Sequence, residues 1–445
     1  MTKIKYWERY AMQKANELKN LIDVFDANPL SSADKLNDFY VNASEARGEN
    51  SAAKLIYLLR NSKRQDKKYL FMGQTGCGKS TELYRVAEAL EKEYVVIHYS
   101  IDDYVDWRGA SYVDVIFSIL QNISIAAEEN KIAINNDVLS GIYNYWKDEK
   151  VVTFTDDEKV QLESEASIGG SFFEIFTAKI KTFLEMSSSI KHETKRKIDP
   201  SFPRLMDMIN AFVADFSQKI APRKMLVIID DLDKLALPEA KDIFINHYRY
   251  MTSLEMNIVY TFPIYLFYFP EFRYIESNFD GIILLSMIKV KSKDGTPYKA
   301  GIEALKSIIY RRAEEKLFAD EVINYVIQKS GGCIRTAFSI LHEATLCAEM
   351  EYMEDESVPE ADRVISLENA HCGFRPVKSS FERSIRKEHL PILQEIHKNK
   401  KPILDDDDML MDLLCSLAVI EYNGERWCDL NPAIEDYLTE LGVLK

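Results

Sequence analysis

The stretch from residue 69 to residue 91 constrains this chain more than any other. Tyr69-Leu70-Phe71-Met72 has the character of a short buried strand. Gly73-Gln74-Thr75-Gly76-Cys77-Gly78-Lys79-Ser80-Thr81 follows, and residues 80–91 carry Leu83, Val86, Ala87 and Leu90 on one helical face. Gly73 and Gly78 bracket four residues ahead of Lys79 and Ser80, the full G-x-x-x-x-G-K-[ST] spacing of a phosphate loop. A polyphosphate needs several main-chain N–H donors converging on it, and glycine lets the backbone curl that tightly. The helix that follows adds the positive end of its dipole. These nine residues are therefore expected to hold a nucleotide, with Lys79 bridging its terminal phosphates and Ser80 holding Mg²⁺.

A phosphate loop alone indicates a nucleotide, not its hydrolysis. The second half of such a site is expected in Asp230-Asp231, at the end of the apolar, β-branched run Met225-Leu226-Val227-Ile228-Ile229. A continuous apolar run of this kind suits a central parallel strand covered on both faces. Its carboxylates then emerge at the C-terminal edge of the sheet, where the loop also lies. Asp230 is the expected partner of Mg²⁺ and Asp231 the group that polarises an attacking water. Helix capping is the competing use of acidic residues at that point. Residues 95–99, 257–260 and 282–285 read as further strands and residues 112–127 as a strongly apolar helix. Strands alternating with helices indicate a doubly wound α/β fold.

At 445 residues the chain suggests two or three domains. A net charge of −15 weighs against coating nucleic acid by bulk electrostatics. Two local basic patches, at residues 60–68 and 191–197, are expected to be solvated loop faces. The six cysteines show no C-x-x-C pair and no metal spacing with the seven histidines, so reduced thiols are expected. The N-terminus lacks the apolar core of a signal peptide, and no apolar run reaches the length of a spanning helix. A cytoplasmic protein without a membrane span is the expectation.

Residues 1–50 are expected to form an N-terminal helical segment that opens with an amphipathic helix over 3–25. Residues 51–298 form the core, beginning with a helix at 51–61 and interrupted at about 132–217 by an insertion, partly helical and partly mobile. Its Phe-rich stretch (Phe172, Phe173, Ile175, Phe176, Ile180, Phe183, Leu184) reads as core or a docking face rather than a membrane-lying helix. Residues 299–350 form a helical lid, followed by an acidic linker at 351–359. Residues 366–445 form a last unit: helices at 381–398 and 405–417, a hairpin turning at Asn423-Gly424, and a short helix at 432–441. Helices with a two-stranded wing suggest a winged-helix-like module.

With these motifs in this order, the chain resembles the AAA+/STAND group of phosphate-loop ATPases, and the origin-recognition (ORC/Cdc6) type and related bacterial ATPases in particular. The resemblance rests on residues 73–80, residues 226–231, Thr261 and Ser330-Gly331-Gly332-Cys333-Ile334-Arg335, and covers about residues 30–130 and 200–440. It implies a P-loop NTPase core of parallel strands, a helical lid and a C-terminal winged-helix-like domain. It also implies that Thr261 is a polar sensor for the γ-phosphate or water, that Arg335 reaches the γ-phosphate from the lid, and that residues near Phe39-Tyr40-Val41 and Arg47 border the adenine. The sequence departs from the pattern in carrying Asp231 where AAA+ motors usually carry Glu, which implies slow turnover. The resemblance assigns no arginine finger, Arg249 and Arg273 being the available candidates.

The favoured expectation is an ATP- and Mg²⁺-binding molecular switch with slow hydrolysis, controlling self-assembly or engagement of a protein partner. Bacterial relatives of this layout extend that expectation to defence or mobile-element systems. Two alternatives stand beside it. One is a DNA-binding initiator or loader that uses the terminal module and the basic span 378–401. The other is a nucleotide-sensing scaffold without meaningful turnover.

Overall fold

Five strands make one sheet in the computed structural model, which describes residues 12–106, 108–149, 151, 171–354, 357–402, 407–422 and 427–444. They are β1 (Lys68–Met72), β2 (Tyr94–Ser100), β3 (Lys224–Asp230), β4 (Asn257–Phe262) and β5 (Gly281–Leu284), in the order β2-β3-β4-β1-β5. A separate antiparallel pair joins β6 (Val419–Tyr422) to β7 (Trp427–Leu430). The longer helices are α1 (Ser51–Asn61), α2 (Lys79–Leu90), α3 (Tyr112–Glu129), α4 (Asn136–Asp148), α5 (Ser171–Leu184), α6 (Ser188–Ile198) and α7 (Phe202–Ile220). After the sheet come α8 (Lys299–Arg312), α9 (Val322–Ser330), α10 (Ile334–Glu354), α11 (Leu367–Glu382), α12 (His389–Asn399), α13 (Asp407–Cys415) and α14 (Pro432–Glu440). The fold is α/β, with a parallel sheet whose first strand runs straight into the phosphate loop.

The chain divides into two compact units. The first comprises Met1–Leu55, Gly73–Glu88 and Leu284–Lys445, and the second Ile56–Met72 and Ala89–Ile283. The second unit holds the sheet. β2 pairs with β3, β3 with β4 and β4 with β1, each in parallel. Ser100 lies opposite Asp230 and Met72 opposite Phe262, so four strand ends share one edge. The burial pattern explains the sequence: β1 and β4 are buried at every residue, so neither alternates.

The region read as an insertion builds much of this unit's core. Trp146 of α4 stacks on Phe176 of α5 with centroids 5.0 Å apart, and Phe117 of α3 lies 4.2 Å from Phe183. Phe176, Ile180, Phe183 and Leu184 of the Phe-rich stretch are thus core, one of the two uses expected for it. Its basic neighbours are not solvated faces throughout: Lys191 pairs with buried Asp114 at 2.8 Å and Lys195 with Asp242 at 2.8 Å. At the other patch Arg60 binds Glu93, Arg64 binds Asp66 and Lys67 binds Asp280. A carboxylate brought alongside by packing offsets part of the cost of taking a cation out of water, and spacing in sequence does not reveal that partner.

The first unit is a helical assembly around one core containing Leu21, Phe25, Leu305, Val326, Phe338, Leu341 and Phe374. Several expectations are corrected here. Among the described residues, 12–25 is not one helix but a bridge at Ala15, a 3-10 turn and a single helical turn at Leu21–Val24. The reason is pairing: Ala15 N donates to Arg312 O and its carbonyl accepts from Glu314 N, holding that backbone extended. The helix expected at 381–398 is two helices, α11 and α12, broken at 383–388. Glu351 and Glu354 belong to α10 rather than to a linker. Cys347 and Cys372 form a disulfide between α10 and α11, against the expectation of reduced thiols. Helix packing brings their Cα atoms to 6.4 Å across 25 residues, a proximity no spacing rule encodes. Residues 152–170 of the insertion, the acidic run at 405–406 and the Asn423-Gly424 turn lie outside the described residues.

Trp146 tests whether this region is structural. Trp146→Ala should cost about 3–5 kcal/mol, the usual range for emptying an aromatic core site, seen as a lower urea midpoint with unchanged slope. A neutral result would show that α4 and α5 are dispensable to the core.

Candidate functional site

In the first unit the phosphate loop follows directly on β1. Gly76 and Gly78 adopt φ of +80° and +103°, a region costly to residues bearing a Cβ. Space is closed as well: a Cβ on Gly76 would lie 2.8 Å from Cys333 Sγ and 2.9 Å from Arg335 Cβ. The loop thereby curls tightly at the start of α2, the setting in which main-chain amides can gather on an anion. Lys79, buried, donates to the loop carbonyls of Gly73 at 2.8 Å and Gln74 at 3.0 Å. Ser80 and Thr81 stand on the first turn of α2, and the Thr81 hydroxyl accepts from Leu30 N at 3.3 Å.

Three further groups fasten the loop. Arg47, expected beside an adenine, is buried and donates to Cys77 O at 2.7 Å and to Ser286 O. Arg335 donates its backbone N–H to Gly76 O at 3.4 Å, and its side chain is exposed. Cys333 Sγ approaches Thr75 O at 3.9 Å. Tyr40, another expected adenine neighbour, is engaged with α2: it donates to Glu82 at 3.1 Å and carries Arg85 over its ring at 4.4 Å.

Gln74 is the residue whose importance pattern reading missed, since a phosphate-loop motif leaves that position open. Its buried amide nitrogen donates to Val419 O at 2.8 Å and Leu414 O at 3.4 Å, and its amide oxygen accepts from Glu421 N at 2.8 Å. One loop side chain thus pairs with both main-chain groups along β6. Tyr422, next on that strand, donates its hydroxyl to Gly331 O at 2.6 Å. The hairpin is tied to both the loop and the turn that opens α10.

The second unit carries the acids. Asp230, buried at the end of β3, accepts from Asp231 N at 2.8 Å. Asp231 has a left-handed φ of +69°, uncommon for a residue with a side chain. Its carboxylate accepts from Ser100 Oγ at 2.5 Å and pairs with Lys234 at 2.7 Å. Asp230, Asp231 and Asp233 each offer an oxygen within 4.8 Å of the others, a donor set of the hard kind that Mg²⁺ takes. Thr261 is fully buried, donating to Ile229 O at 3.2 Å and accepting from Leu232 N at 2.9 Å. It stitches β4 to the turn after β3. Arg249 and Arg273 are both exposed, and Arg249 contacts the neighbouring Tyr248 hydroxyl.

Part of the basic span of the terminal module is paired from within. Lys378 binds Glu440 at 2.5 Å and Glu382 at 3.5 Å. Buried Asp429 receives Lys291, Lys400 and His397. Burial works to raise its carboxyl, but the hydrogen bond from His397 and the charges of Lys291 and Lys400 hold it well below the usual range. Among the described residues, no helix is long and apolar enough to cross a membrane.

No family model and no curated protein matches this sequence. Solved structures with a similar course of chain include Cdc6p from Pyrobaculum aerophilum, at 11% identity and a TM-score of 0.41, covering 94% of this chain and 98% of that one. They also include ORC1 of Aeropyrum pernix in complex with DNA, at 13% identity and a TM-score of 0.38, covering 92% and 95%. A RuvB variant from Thermotoga maritima stands at 11% identity and 0.38, covering 94% and 98%. Likenesses this distant carry no conclusion about what this chain binds.

His98 on β2 provides a check on the acidic edge. Burial lowers it from 6.5 to about 4, while the Asp231 carboxylate works in the opposite sense. The unfolded chain therefore takes up this proton first, and stability falls as pH drops from about 6.5 towards 4, by about 3 kcal/mol in all. His98→Asn should flatten that fall in urea unfolding across this range. An unchanged slope would place the acid sensitivity elsewhere.

Proposed function

We propose that this protein is an ATP-binding switch in which the phosphate loop is read by the chain's own C-terminal hairpin. The supporting observation is the set of hydrogen bonds made by Gln74. Lys79 donates to the carbonyls on either side of the Gly73–Gln74 peptide bond, and a triphosphate on the loop competes for that ammonium group. Drawing Lys79 away frees two carbonyls of the segment from which the Gln74 side chain projects. The hairpin then feels the change through β6, and Arg335 reports the γ-phosphate from the lid. A ligand shifts such an equilibrium only by its differential affinity for the two arrangements, so the terminal phosphate is the lever.

The roles of the remaining residues belong to the same proposal. The amides of residues 73–81 bind the phosphates. Ser80 and Asp230 are the proposed Mg²⁺ ligands, and the metal would supply charge neutralisation at the β- and γ-phosphates. Asp231 orients the attacking water and Thr261 senses the phosphate state. Asp231 already engages Ser100 and Lys234, which favours slow turnover and a long-lived bound state. The output is self-assembly or engagement of a protein partner. The internal pairing of Lys378, Lys400 and His397 makes the duplex-binding alternative the weaker one.

Amide exchange tests this locally. MgATP should protect residues 73–81 in the wild-type chain, and Lys79→Ala should abolish that protection; undiminished protection would overturn the assignment. Ligand at 100 times its dissociation constant should stabilise the wild type by about 2.7 kcal/mol. Gln74→Leu should retain loop protection yet lose the nucleotide-dependent change at residues 414–422. An unaltered response there would remove Gln74 from the relay.

A further inference from the structure

A cavity of about 1300 Å³ lies within the first unit. It is walled by the N-terminal segment from Met12 to Leu30, by the first turns of α10 and by the second half of α11, with Thr75 at one side. Arg312, the last residue of α8, lines it. This residue is only 5% exposed, and its guanidinium lies over the Phe338 ring, 4.6 Å from the centroid. Among the described residues no carboxylate pairs with it, and its Nε has no hydrogen-bond partner. Burial lowers it to about 10, so it remains a cation at neutral pH.

A buried charge is ordinarily matched by an opposite one, because leaving water without a partner is costly. An aromatic face offsets part of that cost and leaves the planar fork of N–H donors unused. We propose that this cavity is a second ligand site, taking a small phosphate-bearing molecule anchored on Arg312. The fork matches an oxyanion in bidentate fashion. His342, Thr336 and Ser339 add polar groups to the lining, and the N-terminal turn of α10 favours negative charge, while Arg335, already assigned to the phosphate loop, is not counted as an anchor. Glu343 also lines the cavity and meets His342 at 3.9 Å, while Asp23 and Asp26 of the lining are exposed to solvent. The volume exceeds that of one phosphate group and accommodates a ligand of nucleotide size. This inference does not rest on a nucleotide at the phosphate loop.

Pyrophosphate is the probe, and full-length Lys79→Ala the protein, so that the loop does not contribute. Calorimetry at constant ionic strength should show binding to Lys79→Ala, weakened at least about tenfold in Lys79→Ala/Arg312→Gln. In Lys79→Ala, amide exchange should show protection at residues 335–343 and 15–25. That measurement decides the matter should the double variant fail to fold. Absence of protection, or equal affinity in the two proteins, would overturn the site. Loss of wild-type loop protection by MgATP with retained pyrophosphate protection would sink the switch reading alone; the reverse result would sink the cavity alone.

Discussion

The tight curl of residues 73–79 is the constraint on which the rest of the first unit depends. A curl this tight makes few hydrogen bonds of its own, and every carbonyl it holds in a buried place requires a donor. Lys79 takes those of Gly73 and Gln74, Arg47 takes Cys77 and the Arg335 amide takes Gly76. The donors come from the N-terminal segment, the loop's own helix and the lid. A change at the phosphate side of the curl must therefore be felt by three separate pieces of the chain.

Gln74 extends this logic to the C-terminal hairpin. An edge strand displays unpaired N–H and C=O groups, and a side-chain amide, with its donor and acceptor on separate atoms, can reach both at once. The result is specific in register, because a slip of β6 by one residue would turn the N–H and C=O groups that Gln74 meets towards the opposite edge. Burial makes the arrangement stringent: an amide that loses these partners away from water forfeits their full energy.

Arg47 and Arg312, both buried in this unit, are balanced differently. Arg47 is spent on carbonyl oxygens and holds the loop, whereas Arg312 rests on an aromatic face at the wall of a cavity. The first is structural in character and the second is open to a ligand. Acidic residues show the same contrast: Asp429 is surrounded by three basic groups, while Asp230, Asp231 and Asp233 crowd together at a strand end.

Local physics made the loop, the strands and the acids legible in advance. Glycine spacing, apolar runs without alternation and a helical stripe each depend on residues within a few positions of one another, so residues 69–91 and 225–231 declare themselves. Long-range pairing was hidden. Ala15 is held extended by α8's end, Cys347 finds Cys372, Lys191 finds Asp114, and Gln74 finds a strand nearly 350 positions away because packing, not proximity in sequence, brings each partner close. The chain by itself determined where a phosphate could be gripped, since that is written in backbone freedom. Only the tertiary structure decided what grips the loop in turn, since a hydrogen bond requires two groups within about 3 Å of each other, and no motif records that distance.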